Sequence, residues 1–493
     1  MPPVRKLAMV LDDLARLDTI RKALADNDPR GQFAALGMQE VLVSDHAVAA
    51  VVEVVARQLA AANRPAGKAA RLRLMVDPVT IRRDGRDLKA DVLAQLAAVF
   101  DVTEVVVDDG HPILHADEPI LDWAAKAAVG ADCIVSVGGG TITDVAKVAA
   151  ERAGVPVHVV VQTAASVDGY TDNFAVVLQN GVKKTLPSRW PEAVLADITT
   201  IAQAPHYLNA SGFGELMSMY SAPGDWFLAA KLGMDDTFTP VLLQMFDLCG
   251  EGIEDWSAGI GQGDPVASDR LTKALAMRGI VTGVGGTTAS LSGMEHLFSH
   301  MLDMVAGARA TPTGLHGAQV GVGSVLRAAV WEEFCHRMAE TPVAGTQLFA
   351  EPESYRARVL AAFAELDPSG QIGAECWPRY RAKLNIWQAA RPQVLAAFAD
   401  WAALAAEHDS LVFNAEKMAL YLHRAGANLR AADLDPPPSA DLTRWVVANC
   451  QFMRERFTVA DLLMFAGWWD DAGVARVLAR AEAAIVAAQG ASR

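Results

Sequence analysis

Between about residue 38 and residue 200, short apolar runs alternate with longer stretches whose apolar residues recur at helical spacing. Glu40–Ser44 reads as a strand and Val48–Ala62 as a helix rich in alanine and valine. Arg71–Asp77 reads as a strand ending in an aspartate, and Asp87–Phe100 as a helix. Glu104–Val107 is the next strand, and Pro119–Val129 is a helix with proline in its first turn. Within Cys133–Lys147, Ile134, Val135 and Val137 form a run suited to a strand buried on both faces, and Val145, Ala146 and Val148 belong to the helix behind it. Val155–Val161 closes the series as another strand. Strands alternating with helices specify a parallel sheet covered on both faces. Ligands of such sheets sit at the C-terminal strand ends, so Asp77, Gly138–Gly140 and Thr163 should share one edge of one crevice.

Phe174–Leu186 breaks the alternation. Two β-prone runs flank Asn180-Gly181, the signature of a hairpin, and Ala193–Asp197 is a further short strand. Beyond about residue 200 the strand signals stop. Leu271–Thr282, Tyr355–Leu366, Trp387–Ala406 and Val474–Ala488 all read as helices, and Asp435-Pro-Pro-Pro-Ser is the main break among them. The expected organisation is a polar helical extension at 1–35, an α/β domain at 36–200 and an all-helical domain at 201–493.

Composition narrows the function. The 493 residues are 52% hydrophobic, much of it alanine, and no uninterrupted apolar run reaches the about 18 residues of a spanning helix. The first residues do not resemble a signal peptide. A net charge of −15 argues against nucleic acid or an anionic membrane as the main partner. Five scattered cysteines without a CxxC pair suit a reducing compartment, and a cytoplasmic location is expected.

Two stretches carry chemistry. Gly138-Gly-Gly follows a buried strand and precedes a helix that Thr141 or Thr143 could cap. Free N–H groups and the helix dipole at such a turn attract anions, although the spacing is neither GxGxxG nor a Walker loop. In the helical half, Gly293-Met-Glu-His-Leu-Phe-Ser-His300 sets His296 and His300 on one helix face, and His316 follows sixteen residues later. Three protein ligands with one position left open make a catalytic site for Zn²⁺ or Fe²⁺. Glu215, just after a glycine turn, offers an oxygen ligand. Taken singly, each has a plain structural reading: a tight turn, packed histidines, a first-turn glutamate.

Together these motifs resemble the iron-containing alcohol dehydrogenase and dehydroquinate synthase superfamily, most closely its glycerol-1-phosphate dehydrogenase branch. The resemblance runs over roughly residues 38–330. It rests on Gly138-Gly-Gly-Thr-Ile-Thr-Asp-Val-Ala-Lys147, Thr163-Ala-Ala-Ser-Val-Asp-Gly169, Ala196-Asp197 with Ala204-Pro205, and Gly212-Phe-Gly-Glu215 with Asp225-Trp226. It continues in Glu295-His-Leu-Phe-Ser-His300 and His316-Gly-Ala-Gln-Val-Gly-Val-Gly323, with a C-terminal echo in Arg454-Glu-Arg-Phe-Thr458. The resemblance implies an N-terminal parallel-sheet dinucleotide-binding domain and a C-terminal all-helical metal-binding domain. NAD or NADP would meet Asp77, Gly138, Gly139, Gly140, Asp144, Lys147, Thr163 and Ser166. Asp77 favours NAD through the ribose, while a neighbouring Arg73 keeps NADP open. One divalent metal, zinc or iron, would bind Glu215, His296 and His316, and the catalytic residues Asp168 and His300 would lie near substrate and nicotinamide. The implied substrate is a small polyol or polyol phosphate, and the protein is expected to be a homo-oligomer.

Three positions depart from that branch. Glu215 stands where it carries aspartate, Met219 where it carries lysine, and Ala289 where it carries arginine. Two lost cations weigh against a phosphorylated substrate unless others, such as Arg309, Lys183 or Lys184, replace them. The competing expectations are a dehydroquinate-synthase-like lyase or cyclase using NAD catalytically, a dehydrogenase of unphosphorylated polyols, and a non-enzymatic nucleotide binder. The stretch at about 335–445 has no assigned role.

Overall fold

The computed structural model describes residues 7, 9–28, 31–111, 114–179 and 182–491. The chain forms two compact units, Met1–Gly212 with Pro240–Gly286, and Phe213–Thr239 with Thr287–Arg493. The three helices Pro240–Cys249, Ile253–Ile260 and Pro265–Gly285 therefore group with the sheet, which a division at residue 200 does not convey.

Among the described residues the first unit holds ten strands: β1 (Glu40–Ser44), β2 (Arg71–Val76), β3 (Arg82–Arg83), β4 (Arg86–Asp87), β5 (Asp101–Val106), β6 (Cys133–Gly138), β7 (Val157–Gln162), β8 (Phe174–Gln179), β9 (Val182–Pro187) and β10 (Ala193–Asp197). Six form a sheet in the order β1-β10-β7-β6-β2-β5, and every neighbouring pair is parallel. The reading that Val155–Val161 completes the series is thus corrected. Strand β10 inserts between β7 and β1, a non-local pairing that no local pattern encodes.

Side-chain alternation explains the apolar residues of β2 and β6. Leu72, Leu74, Val76, Val135 and Val137 pack on one face against Val51, Val55, Val92 and Leu96. Met75 and Ile134 turn to the other face, against Leu121, Ala124, Val145 and Ala149. Both faces are covered, so apolar residues serve on each side, while Arg71 and Arg73 lie at the less buried start of β2 and the buried Ser136 of β6 meets His158 Nε2 at 2.9 Å. The helix expected at Asp87–Phe100 is Leu88–Val99, with the Asp87 carboxylate accepting from Lys89 N and Ala90 N as its cap. β8 and β9 pair antiparallel as the hairpin reading requires, while its Asn180-Gly181 turn lies outside the described residues.

In the second unit the described residues form only helices and loops. The single helix expected at Trp387–Ala406 is corrected to parts of three, Gln371–Ala389, Arg391–Ala399 and Trp401–Asp409. Pro392 lacks the N–H that would continue the first helix and instead sits in the first turn of the second. A buried polar tie organises this unit. Asp225 Oδ1 accepts from Arg327 (2.9 Å to Nη2) and from Val459 N (3.1 Å), while Oδ2 accepts from Met294 N (2.9 Å). One carboxylate thereby pins the starts of two helices.

Behind that pair, Arg327 Nη2 lies 2.8 Å from His408 Nε2, and the other ring nitrogen of His408 lies 3.1 Å from Asp409. Burial and the Arg327 charge push His408 down to about 3, so the ring stays neutral in the folded chain. The unfolded chain takes up this proton near pH 6.5, the ordinary histidine value. Between those two values the unfolded state binds more protons, and stability falls as pH falls. We expect melting temperature to drop with decreasing pH below about 6.5. His408→Gln should flatten that slope; an unchanged slope would contradict the assignment.

Candidate active site

In the first unit, the glycine turn that follows β6 opens the helix Gly140–Ala153. Its cap residue is Gly139, and no side chain caps it. The expected threonine cap is corrected: Thr143 Oγ1 instead donates back to Gly139 O (3.1 Å). The first N–H groups of a 14-residue helix thus remain without a side-chain acceptor, and Gly139 has open space where a Cβ would stand. At Gly138 (φ +156°) a Cβ would meet Ile142 Cγ2 at 2.5 Å, with Asp77 Oδ2 3.7 Å away. Gly138 is in register with Gln162, so Thr163 emerges beside the turn. Asp77, Gly138–Gly140 and Thr163 do meet at one sheet edge.

Other residues expected to touch the cofactor hold the loop beside it. Lys147 is fully buried, and its ammonium donates to Gly169 O (2.6 Å), Asp172 Oδ1 (2.6 Å) and Phe174 O (2.8 Å). These acceptors use all three of its donors. Asp144 Oδ2 accepts from Val176 N (3.1 Å), and Ser166 Oγ lies 3.4 Å from Tyr170 Oη. Arg73 donates to the carbonyls of Ala127 and Leu72, four residues down the strand from Asp77. Asp77 itself is paired with Lys89, which also donates to its carbonyl (2.7 Å). Asp168 pairs with Arg278 at 3.2 Å. Arg278 escaped the sequence reading because it sits in a long helix with no motif around it.

The second unit brings Glu215, His296 and His316 together, with one ligand atom from each within 4.8 Å of the others. His296 Nε2 lies 3.3 Å and His316 Nε2 3.5 Å from the Glu215 carboxylate. Ligands at 2.0–2.1 Å from a tetrahedral ion stand about 3.3 Å apart, so this set is already near the spacing an ion requires. Close helix approach makes the convergence possible. A Cβ on Gly214 would stand 2.3 Å from Gly317 O, and one on Gly323 would stand 2.6 Å from Glu295 O.

Both imidazoles are held from behind. His296 Nδ1 lies 2.9 Å from Glu295 Oε1, and His316 Nδ1 lies 2.9 Å from Ser299 Oγ, itself 2.7 Å from Gln319 Oε1. These contacts direct both Nε2 atoms toward Glu215. Burial opposes it, yet the charges and hydrogen bonds of Glu215 and Glu295 raise His296 to about 9. Two carboxylates therefore hold a positive charge at this point, and a divalent cation fits the same donor set. His300 is buried one turn on, its ring 5.6 Å from that of His316 and 6.3 Å from that of His296. Glu295, Ser299 and Gln319 were missed as site residues, although the first two lie inside the Glu295–His300 motif itself.

A second cluster among the described residues, Asp109, His111 and His115, also has ligand atoms within 4.8 Å. Its carboxylate is occupied by its own loop, accepting from His111 N (3.0 Å), His115 N (2.9 Å) and His115 Nδ1 (2.8 Å).

The family model for iron-containing alcohol dehydrogenases matches residues 53–205. A glycerol-1-phosphate dehydrogenase [NAD(P)+] of Pyrococcus furiosus is 32% identical over 271 residues, covering 53% of this chain and 75% of that one. The chain belongs to the glycerol-1-phosphate dehydrogenase branch of the iron-containing alcohol dehydrogenase superfamily. The enzyme of the same name from Haloquadratum walsbyi is 32% identical, covering 55% of this chain and 78% of its own. For that of Geobacillus thermodenitrificans identity is 30%, and the match spans only 62% of its length. Glycerol dehydrogenase of Schizosaccharomyces pombe superposes with a TM-score of 0.49 at 13% identity, covering 91% of this chain and 90% of that one. About half of this branch member lies outside the sequence matches.

Removing the support behind a ligand should weaken metal binding without abolishing it. Glu295→Gln is expected to lower zinc affinity by about 10- to 100-fold in a competitive chelator titration. Ser299→Ala should cost less, because the Ser299 hydroxyl that supports His316 is uncharged. Affinities equal to wild type would contradict the supporting role.

Proposed function

We propose that the protein is a metal-dependent NAD(P)-linked oxidoreductase that interconverts a secondary alcohol and a ketone. The substrate pair we favour is sn-glycerol 1-phosphate and dihydroxyacetone phosphate. The observation that carries this reading is the convergence of Glu215, His296 and His316 with His300 one turn away.

Bound at these residues, a divalent ion supplies positive charge to polarise the substrate oxygen, and a nicotinamide supplies or accepts the hydride. The chain's own groups do the rest. The N–H groups at Gly139 and Gly140 bind the pyrophosphate, and the Asp77 carboxylate accepts from the adenosine ribose. Asp144 and Lys147 fix the loop and hairpin strand that follow β7. Glu215 and the two Nε2 atoms orient the ion. Asp168, held by Arg278, is the residue we assign to the reacting end of substrate and cofactor. His300 takes the hydroxyl proton at its imidazole as the alcohol is oxidised and returns it on reduction. Burial of His296 and His300 limits the access of water to this exchange.

Glutamate at position 215 also favours a second reading, a dehydroquinate-synthase-like lyase that reduces and reoxidises NAD within one turnover. The two separate on one assay. Metal-loaded protein should oxidise NADH or NADPH stoichiometrically with dihydroxyacetone phosphate; release of no net oxidised cofactor with any ketone would favour the lyase. His300→Ala should lower kcat by about 10²- to 10⁴-fold at unchanged metal content. A variant as fast as wild type would remove His300 from the proton transfer.

A further inference from the structure

The two cations that the glycerol-1-phosphate branch carries are replaced here by Met219 and Ala289, both buried and apolar. We propose that Arg454 and Arg456 form an anion subsite beside the metal centre and receive the phosphate of the substrate. The inference rests on the oxidoreductase reading above.

Arg456 lies over the same run that lost its arginine. Its guanidinium donates to Ser292 O and, at 2.7 Å, to Thr288 Oγ1, so it spans Ala289 from both sides. The run ends at Gly293, whose N–H donates to Glu295 Oε1, the carboxylate oxygen that supports His296. Arg456 is therefore joined to a metal ligand by a short chain of backbone and hydrogen bonds. Neither of its two acceptors is a carboxylate, and its charge has no ion-pair partner among the described residues.

Arg454, two residues earlier, is half-buried like Arg456, while Glu455 between them is exposed. Arg454 makes no hydrogen bond or ion pair among the described residues. Burial and the Arg456 charge bring it down to about 10, and Arg379 on the helix Gln371–Ala389 adds to the repulsion. Glu455 is the one carboxylate near enough to oppose this, from the solvent side. Burial disfavours both guanidinium charges and the Arg456 charge repels that of Arg454, while Glu295, Glu455, Asp235 and Asp225 partly offset burial at Arg456. A phosphate monoester removes the conflict, because its oxygens accept the paired N–H groups of each planar fork and its dianion neutralises both charges. A carboxylate carries one charge and fits this pair less completely.

Of the other cations considered from sequence, Arg309 and Lys184 are placed elsewhere, and the Lys183 side chain lies outside the described residues. Arg309 caps the far end of the helix Met294–Ala308, and Lys184 donates to Gln179 at 3.0 Å.

The test uses metal-loaded full-length protein with dihydroxyacetone phosphate and dihydroxyacetone as alternative substrates. For Arg454→Gln, kcat/KM for the phosphorylated ketone relative to the unphosphorylated one should fall at least tenfold, mainly through KM. Arg454→Lys, which keeps the charge and loses the fork, should fall less. Calorimetric binding of inorganic phosphate should weaken in the same order, and metal content equal to wild type reports an intact fold. A ratio and phosphate affinity within twofold of wild type would overturn the subsite while leaving the oxidoreductase reading intact. If wild type turns over neither ketone, that reading falls. The subsite then stands or falls on whether phosphate binding depends on Arg454.

Discussion

A carboxylate buried against two imidazoles is the constraint on which the helical unit depends. Glu215 is almost fully buried, and a buried charge left unpaired costs several kcal/mol. His296 and His316 meet it at 3.3 and 3.5 Å only because their helices approach within backbone contact at Gly214 and Gly323. Each imidazole is then fixed by a hydrogen bond on its far side. The glycines, the second row of polar side chains and the Asp225 tie that starts the Met294–Ala308 helix all serve this one convergence. A cation at its centre would balance the charge that Glu215 and Glu295 now share with a proton on His296.

The nucleotide unit follows a different logic. Its sheet is held by apolar strands covered on both sides, and its chemistry sits where the apolar pattern stops. The turn at Gly138–Gly140 leaves helix N–H groups without a side-chain cap, which suits a ligand that brings its own negative charge. Lys147 shows how close a structural role can lie to a functional one. It belongs to the motif that resembles a cofactor site, yet its ammonium is fully spent on the loop and strand start at 169–174.

What could be read from the sequence divides along a physical line. Local patterns located the strands of the sheet, the hairpin and most helices, because side-chain alternation and helical spacing act over a few residues; the glycine turn read before Glu215 is instead the interior of the helix His206–Met217. The meeting of Glu215, His296 and His316 was legible because the histidines lie in short motifs. Long-range facts were not legible: the insertion of β10, the return of Pro240–Gly286 to the sheet unit, and the Asp168–Arg278 pair. The break of the 387–406 stretch was missed although Pro392 marked it, because alanine-rich helical character on both sides masked the signal. Arg454 and Arg456 were visible as a motif, but only the contacts of Arg456 with Thr288 and Ser292 connect them to the lost arginine position.

The account turns on one divalent ion held by Glu215, His296 and His316. The most direct test is metal stoichiometry by elemental analysis after zinc loading and extensive dialysis, for wild type and Glu215→Ala. The account predicts about one equivalent per chain for wild type and a loss of bound metal in the variant, as expected when one of three ligands is removed. A variant that folds and keeps a full equivalent would contradict it.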